Sequence, residues 1–469
     1  MPPRPDRPLI ARPERRPLPR EARIAILGAG CAGLTCADEL RALGYARTTI
    51  FEARSRAGGK IRSVPYEGAP PGGRGLFEAG TVFFIPSPMW TRLLRRHDVS
   101  PECTIMPPVR TADLRTGTIV RPLSFANGHS LPSRVAQVRR FLSMLYRHGP
   151  SHDAQPGVAP HVRPELCVPA RQYFDSERMG FVREVLLPIA GGAQFGPLVD
   201  DVPALYVVRL LTLLLRYGYL ERLRLAMPQL RVGHEALWAK IAAAHDVRFD
   251  EPVVRVHRGP LAQPLEGADG RRGEIEVETS RGRHGFDALI VTLPPEAWLR
   301  VAELPEAERA LYGAVRTLDR VILTARVTGL GHLFCAPRYG DDGVVPPGHP
   351  YLFYEVDRGS GLYTFHPFLD GGATIEDAER ALATVVERLG GRVQGVVHRQ
   401  LVRGWFPHFD GDALSAGACT HLEAQQGVRQ TFYAGELFAG VGVPHGMEYA
   451  ARMVRSHIAG LEDDAQPAP

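Results

Sequence analysis

Three glycines and one acid carry the chemistry written most plainly in this chain. Gly28, Gly30 and Gly33 punctuate the run Arg-Ile-Ala-Ile-Leu-Gly-Ala-Gly-Cys-Ala-Gly over residues 23–33, and Glu52 closes the next apolar run. Gly28 permits a tight turn, Gly30 lets backbone approach a pyrophosphate, and Gly33 allows a helix to pack closely on a strand. A helix opening at that turn offers N–H groups and partial positive charge to phosphates. Glu52 lies 24 residues beyond Gly28, near the roughly 20 that separate such a turn from the acid that holds a ribose hydroxyl. The pattern needs a frame, and the frame is present in order. A strand is expected over Ile24–Leu27, a helix from about Ala32 to Leu43, and a second strand over Thr48–Phe51. That context favours dinucleotide binding over a merely structural turn.

The run continues past the acid as Glu-Ala-Arg-Ser-Arg-Ala-Gly-Gly-Lys-Ile-Arg, residues 52–62. Gly58 and Gly59 would bring a second stretch of backbone to the cofactor, and Arg56, Lys60 or Arg62 would neutralise phosphate charge. The bland alternative is a solvated basic turn. The run resembles the extended nucleotide-binding motif of FAD enzymes in the monoamine oxidase superfamily. Further on, Leu76-Phe-Glu-Ala-Gly-Thr reads as a short strand closing on Gly80 and Thr81, where backbone can lie against a flat ring.

Composition sets the frame for these motifs. The chain has 469 residues, 44% hydrophobic and 23% charged, with a net charge of +5. Two or three domains with a sizeable core are expected at that length. The charge excess is mild and no basic run is interleaved with aromatics, so no nucleic-acid partner is expected. Six scattered cysteines form no C-x-x-C pair and no metal-ligand cluster, so no metal site is expected and a reducing cytoplasm is. Residues 1–20 hold seven prolines and six arginines. They read as a disordered arm rather than a secretory signal, with weak attachment to an acidic membrane surface as the alternative. Val202–Leu215 is the most apolar stretch, interrupted by Arg209 and too short to span a bilayer.

The nucleotide-like elements recur along the chain. A helix over His234–Ala244 precedes a strand over Glu251–His257, a hairpin pair centred on Gly270 and Gly282, and a buried strand from Asp287 stopped by Pro294 and Pro295. Between these blocks, Pro107–Pro169 reads as proline-punctuated loops and Val202–Met227 as helical. Strands are expected over Arg320–Val327, Tyr351–Val356 and Gly361–Phe365, then a helix over Ile375–Leu389. Thr431 opens a short strand, a glycine-rich loop and a last helix from about His445 to Ile458. This interleaving is similar to the FAD-binding architecture of the glutathione reductase and monoamine oxidase type. The implied fold class is α/β, a Rossmann-like FAD-binding domain with an inserted mixed α+β substrate domain. The expected boundaries are 21–90, 228–299 and 415–461 for the FAD-binding domain, 91–227 and 300–414 for the substrate domain, and a disordered tail at 462–469.

The resemblance implies a site residue by residue. Gly28, Gly30, Gly33 and Glu52 match contacts to adenosine and pyrophosphate, and Arg56, Gly58, Gly59 and Lys60 match the extended loop. Val253 matches a strand residue whose backbone meets the adenine, Gly435-Glu436 a pair on the ribityl-pyrophosphate side, and Met447 a backbone contact to the flavin C2 carbonyl. Within the superfamily, Asp200–Leu211, Gly404–Phe409, Thr431–Glu436 and the Ala57-Gly-Gly-Lys start are most similar to bacterial FAD-dependent polyunsaturated fatty acid double-bond isomerases. Amine oxidases of the superfamily place a lysine on the strand corresponding to Arg320–Val327. Leu323 takes that place here, unless a shift of a few residues brings in Arg320 or Arg326. No cysteine stands where covalently flavinylated relatives have one, which implies non-covalent FAD.

The implied reaction is hydride transfer between a small apolar substrate and flavin N5, with double-bond isomerisation ahead of amine oxidation or desaturation coupled to oxygen. Tyr206, Leu210, Leu213 and Leu214 are candidate tunnel walls, ordinary core being the alternative for most. Trp405, Phe406 and Phe409 either stack near flavin and substrate or fill the core. Arg110 either holds a substrate carboxylate or is a surface arginine. His445 either polarises the ring or substrate, or caps the last helix. The oligomeric state is not legible.

Overall fold

The computed structural model describes residues 17–82, 85–121, 128–148, 162–216, 228–259, 274–340, 344–440 and 442–461. The expected arm, the Gly270 turn, the 217–227 part of the apolar helix and the 462–469 tail fall outside the described residues, wholly or nearly so.

Five short strands form a parallel sheet in the order Thr431–Tyr433, Ala288–Val291, Ile24–Leu27, Thr48–Phe51, Asp246–Arg248. Ile24–Leu27 lies second from neither edge but at the centre, and all four of its residues are buried. A central parallel strand covered on both faces must be apolar throughout, and Ile-Ala-Ile-Leu is. The helix Cys31–Ala42 follows the first strand, and the helix Val443–Met453 packs against it. Val253–Arg258, Ile275–Thr279 and Gly282–Phe286 make an antiparallel three-stranded sheet beside this layer. The sheet is thus gathered from three distant stretches of chain, as a Rossmann-type FAD-binding fold requires.

A second sheet has seven strands in the order Arg392–His408, Arg316–Thr328, Leu362–Pro367, Pro350–Glu355, Phe334–Arg338, Arg110–Asp113, Thr118–Val120. Along Arg316–Thr328 successive side chains take opposite faces. Val321, Leu323, Ala325 and Val327 enter a core roofed by the helix Ile375–Arg388, while Ile322 joins the main core on the other side. The pairing of this strand with Arg392–His408 shifts register between Leu318 and Arg320. Such bulges re-aim side chains at the end of a strand.

Several elements differ from expectation. An 18-residue helix, Leu131–His148, occupies part of the stretch read as loops. Pro132 sits in its first turn, where a missing N–H costs nothing, so the proline does not mark a loop. The last helix begins at Val443, with Pro444 in its first turn, and ends in a π-helical turn over Val454–Ile458. A second π-helical turn, Gly191–Phe195, follows Gly180–Ala190. Among the described residues no helix is long and apolar enough to cross a membrane, and no cluster could hold a metal ion.

Candidate functional site

The first turn is held by contacts that only glycine allows. Gly28 has φ +102°, and a Cβ there would lie 2.9 Å from Thr292 Oγ1. A Cβ on Gly33 would lie 2.1 Å from the Gly28 carbonyl oxygen, so the helix cannot approach its strand with any larger residue. Gly30 is different: the nearest atom to its Cβ would be Gly59 Cα at 4.0 Å. Its missing side chain leaves room for a ligand rather than for the protein. The two glycine loops lie side by side, Gly58 N–H donating to the Ala29 carbonyl at 2.9 Å. Glu52 Oε2 accepts from Ala29 N–H at 2.9 Å and Oε1 from Arg54 N–H at 3.0 Å, which fixes the carboxylate beside the turn. The helix N-cap, Gly30, has no side-chain cap, and no acid occupies the first turn. The N-terminal N–H groups thus face the cavity with the positive end of the helix dipole.

One cavity of ≈ 1010 Å³ is lined by this turn together with Gly59, Gly80, Thr81, Val253, Gly435, Ala193, Leu210, Leu213 and Leu352. Gly80 is obligatory because a Cβ would lie 2.0 Å from the Lys60 carbonyl oxygen. Lys60 Nζ donates to Glu436 Oε2 at 2.8 Å and to the Gly404 carbonyl at 2.5 Å, so it ties three chain segments together at the cavity wall. Gln194 Nε2 donates to the other oxygen of Glu436 at 2.9 Å, and Trp405 Nε1 donates to the Gln194 carbonyl at 2.9 Å.

The π-helical turn and Trp405 frame a buried cation. Arg320, 2% exposed, lines the cavity and has no carboxylate partner among the described residues. Its guanidinium donates to the carbonyls of Gly192 and Ala193 at 3.1 Å each. It lies 4.6 Å from the Trp405 ring centroid and 5.2 Å from that of Phe368. Nε has no hydrogen-bond partner. Burial pushes this guanidinium down to about 9, a measure of how poorly its charge is compensated by the protein alone.

The structure gathers Gly28, Gly30, Glu52, Gly58, Gly59, Lys60, Gly80, Thr81, Val253, Trp405, Gly435 and Glu436 around one cavity, with Gly33 packed behind the turn. Others of the expected residues stand elsewhere. Arg56 does not line the cavity; it donates to the carbonyls of Ala57, Gly59 and Ile61 and pairs with Glu235, so it splints the glycine loop from behind. Phe406, at φ +52°, turns into a cage of Phe195, Tyr206 and His408. Phe409 is core, its N–H held by Tyr206 Oη at 2.9 Å. His445 and Met447 are buried within the last helix and do not line the cavity, whereas Pro444 and Gly446 do. Met447 is one turn in from the helix start at Val443. Arg110 lies in the sixth strand of the large sheet, opposite Cys335, and is not a lining residue. Leu210 and Leu213 line the cavity; Tyr206 is core.

The place read for Leu323 is corrected by the pleat. Leu323 pairs with Phe365 and enters the far core, whereas Arg320, of opposite parity and next to the bulge, reaches the cavity. Arg54, Gln194 and Arg300 also line the cavity and carried no distinguishing sequence signal.

Comparison with known proteins places the chain in a family. Residues 31–324, more than half of the chain, match the family described as flavin containing amine oxidoreductase, and the chain belongs to that family. A CLA-producing fatty acid isomerase from P. acnes superposes with a TM-score of 0.77 at 21% identity, over 93% of this chain and 99% of that one. Cyclohexylamine oxidase from Brevibacterium oxydans gives 0.65 at 17% identity, over 93% and 99%. Wild-type putrescine oxidase bound to putrescine gives 0.64 at 17%, over 94% and 98%. These likenesses show the fold. The protein is an FAD-dependent oxidoreductase of the amine oxidase superfamily, and its own geometry fits the cofactor. Gly30 leaves an open cradle at an uncapped helix start, Glu52 is fixed beside it, and the buried cation Arg320 lines the same cavity.

Proposed function

We propose that this flavoenzyme removes a hydride from an apolar unsaturated acyl or polyketide-like substrate and returns it to the same molecule, shifting a double bond. The observation that carries the reading is the far wall of the cavity. Val82, Ile85, Leu210, Leu213 and Leu352 are apolar, and a buried cation, Arg320, lies near Leu352: it binds the Gly192 carbonyl, and Gly192 lies against Leu352. Bound FAD supplies a hydride acceptor that can also give the hydride back. A CH₂ between two double bonds loses hydride readily because the cation left behind is delocalised over five carbons. The apolar wall keeps water from that cation, and Trp405, anchored through its indole N–H, narrows the space in which the chain can lie. Arg320 opposes the entry of an ammonium group, and the charge it favours is the negative charge that the cofactor gains with the hydride, not the cation left on the substrate.

Cys31, at the start of the first helix, lines the cavity, but burial and then Glu436 push its thiol up to about 11. It is therefore a protonated, poor nucleophile at neutral pH, in keeping with non-covalent FAD. In this reading the parallel sheet serves the flavin and the seven-stranded sheet, with the helices over Leu131–Arg216, serves the substrate.

A second reading is oxidation of an amine or amino acid, with electrons passed to oxygen. It draws on Asp319, a half-buried lining carboxylate with no side-chain hydrogen bond among the described residues, which would suit an ammonium group. Anaerobic incubation of the yellow enzyme with unsaturated fatty acids and with amines separates the two. Turnover of an acid without oxygen, without peroxide and with substrate deuterium retained in the product is expected. Obligatory oxygen consumption matched by peroxide would sink the isomerase reading.

A further inference from the structure

We propose that the helix Leu131–His148 seats this protein on an anionic lipid surface. Five of the thirteen large hydrophobic residues that the described chain exposes stand on this one helix: Leu131, Val135, Val138, Leu142 and Tyr146. Their exposure runs from 40% at Val138 to 80% at Tyr146. At ~100° per residue the five fall within an arc of about 80°. They form a continuous stripe along all five turns. The stripe is not the face that packs inward. Gln137, Phe141, Met144, Leu145 and His148 do that, against the helices Gly180–Ala190 and Ala204–Arg216. The centre of that buried face lies about 120° around the axis from the stripe. Scattered exposed apolar side chains need no explanation, but a contiguous row of them does.

Charge identifies the partner. The helix carries Arg134, Arg139, Arg140 and Arg147 and no acidic residue. Arg134 and Arg139 border the stripe on opposite sides by the same angular reckoning. Arg134 lies over the Phe181 ring at 5.5 Å, Arg140 reaches the Arg178 carbonyl at 3.1 Å, and Arg147 pairs with Glu177 at 3.2 Å. Arg139 makes no ion pair among the described residues. An apolar stripe bordered by cations, on a helix without acids, is the pattern of a helix lying in a membrane interface. A second copy suits the face poorly, because a two-fold contact of stripe on stripe would set arginines against arginines. One layer inward, Ala204–Arg216 lines the cavity through Leu210 and Leu213, so the lipid-facing helix backs directly onto the catalytic chamber. The inference does not depend on which substrate the chamber takes.

The test is co-sedimentation of the full-length holoprotein with phosphatidylcholine vesicles and with mixed phosphatidylcholine–phosphatidylglycerol vesicles. Binding to the anionic vesicles is expected, with little to the neutral ones. The double variant Val138→Asp/Leu142→Asp should bind about tenfold less while retaining its flavin absorbance and thermal midpoint. Leu131→Ser/Tyr146→Ser, a milder change at more exposed positions, gives the same reading should the aspartates disturb folding. Failure to bind anionic vesicles overturns the proposal. So does binding that the variants leave unchanged, which would assign lipid contact to the Pro/Arg-rich residues 1–20. A solution dimer that the same substitutions dissociate would assign the stripe to a second copy and equally overturn it.

Discussion

Arg320 poses the sharpest question at the scale of single residues. A buried guanidinium without a carboxylate costs stability, and replacing such a charge with an apolar residue of similar size is often neutral or stabilising. Against that, Arg320→Met releases the Gly192 and Ala193 carbonyls that the guanidinium binds. The two effects oppose each other, so unfolding free energy should change by less than about 1 kcal/mol. The rate of flavin bleaching by substrate should fall about 10²–10³-fold if the guanidinium stabilises the negative charge that the cofactor gains with the hydride. Denaturant titration and anaerobic stopped-flow absorbance measure the two quantities. A variant that is unstable yet reacts at the parental rate would make Arg320 a structural group only. The glycines offer a second contrast. Gly30→Ala meets no protein atom closer than 4.0 Å, so it should fold normally but bind FAD at least ~10-fold more weakly. Gly33→Ala drives a methyl onto a carbonyl oxygen and should yield little folded protein. Far-UV circular dichroism and flavin content after reconstitution distinguish them, and a fully yellow Gly30→Ala protein would refute the cradle.

Elements explain what a linear reading can and cannot see. The first strand–helix–strand unit and the helix at Ile375 were readable because their patterns are local and their apolar periods strong. Glu52 was readable because its distance from Gly28 is set within that local unit. Arg320 stood only as an alternative to Leu323, because the face a strand residue takes depends on pairing with Leu362–Pro367 and Arg392–His408, tens of residues away, and on a bulge in that pairing. Arg110, read as either a carboxylate holder or a surface arginine, does not line the cavity, and its place was not locally readable because its neighbour in the sheet is Phe334–Arg338, over two hundred residues later. The π-helical turn at Gly191–Phe195, which supplies the carbonyls for Arg320, has no sequence signature beyond its glycines. Strand pairing also has a pH consequence. His366 on Leu362–Pro367 is fully buried, neither ring nitrogen has a hydrogen-bond partner among the described residues, and burial, then Arg320, holds its pKa well below 6.5. His234, His245, His398 and His408 shift in the same direction, each chiefly by burial. The folded chain therefore refuses protons that the unfolded chain accepts once pH drops below about 6.5, so stability is full above that value and declines beneath it. His366→Phe should flatten part of the decline between about pH 6.5 and 5 in urea titrations. An unchanged slope would show that His366 contributes nothing to it.

The whole molecule is organised around a cofactor site that belongs to no single stretch of chain. Residues of the first turn, the Thr292–Ala297 segment and the Tyr433–Gly446 segment all line the cavity, and Lys60 bridges to Gly404 and Glu436 across it. A ligand that binds only this assembled state stabilises it by mass action, about 4 kcal/mol at a thousand times its dissociation constant. Stripping the flavin should lower the calorimetric midpoint by several degrees, and reconstitution should restore it. An apoprotein melting at the holoprotein's temperature would mean that the cavity walls hold themselves together. The parallel sheet carries a consequence for biosynthesis. Its edge strand Thr431–Tyr433 and the helix behind it leave the ribosome only after the seven-stranded sheet, which precedes them in the chain, is already available to fold. A nascent chain halted before residue 446 would hold the glycine turn but lack one side of its socket, so loading with flavin must wait until a segment more than four hundred residues downstream of that turn has been made.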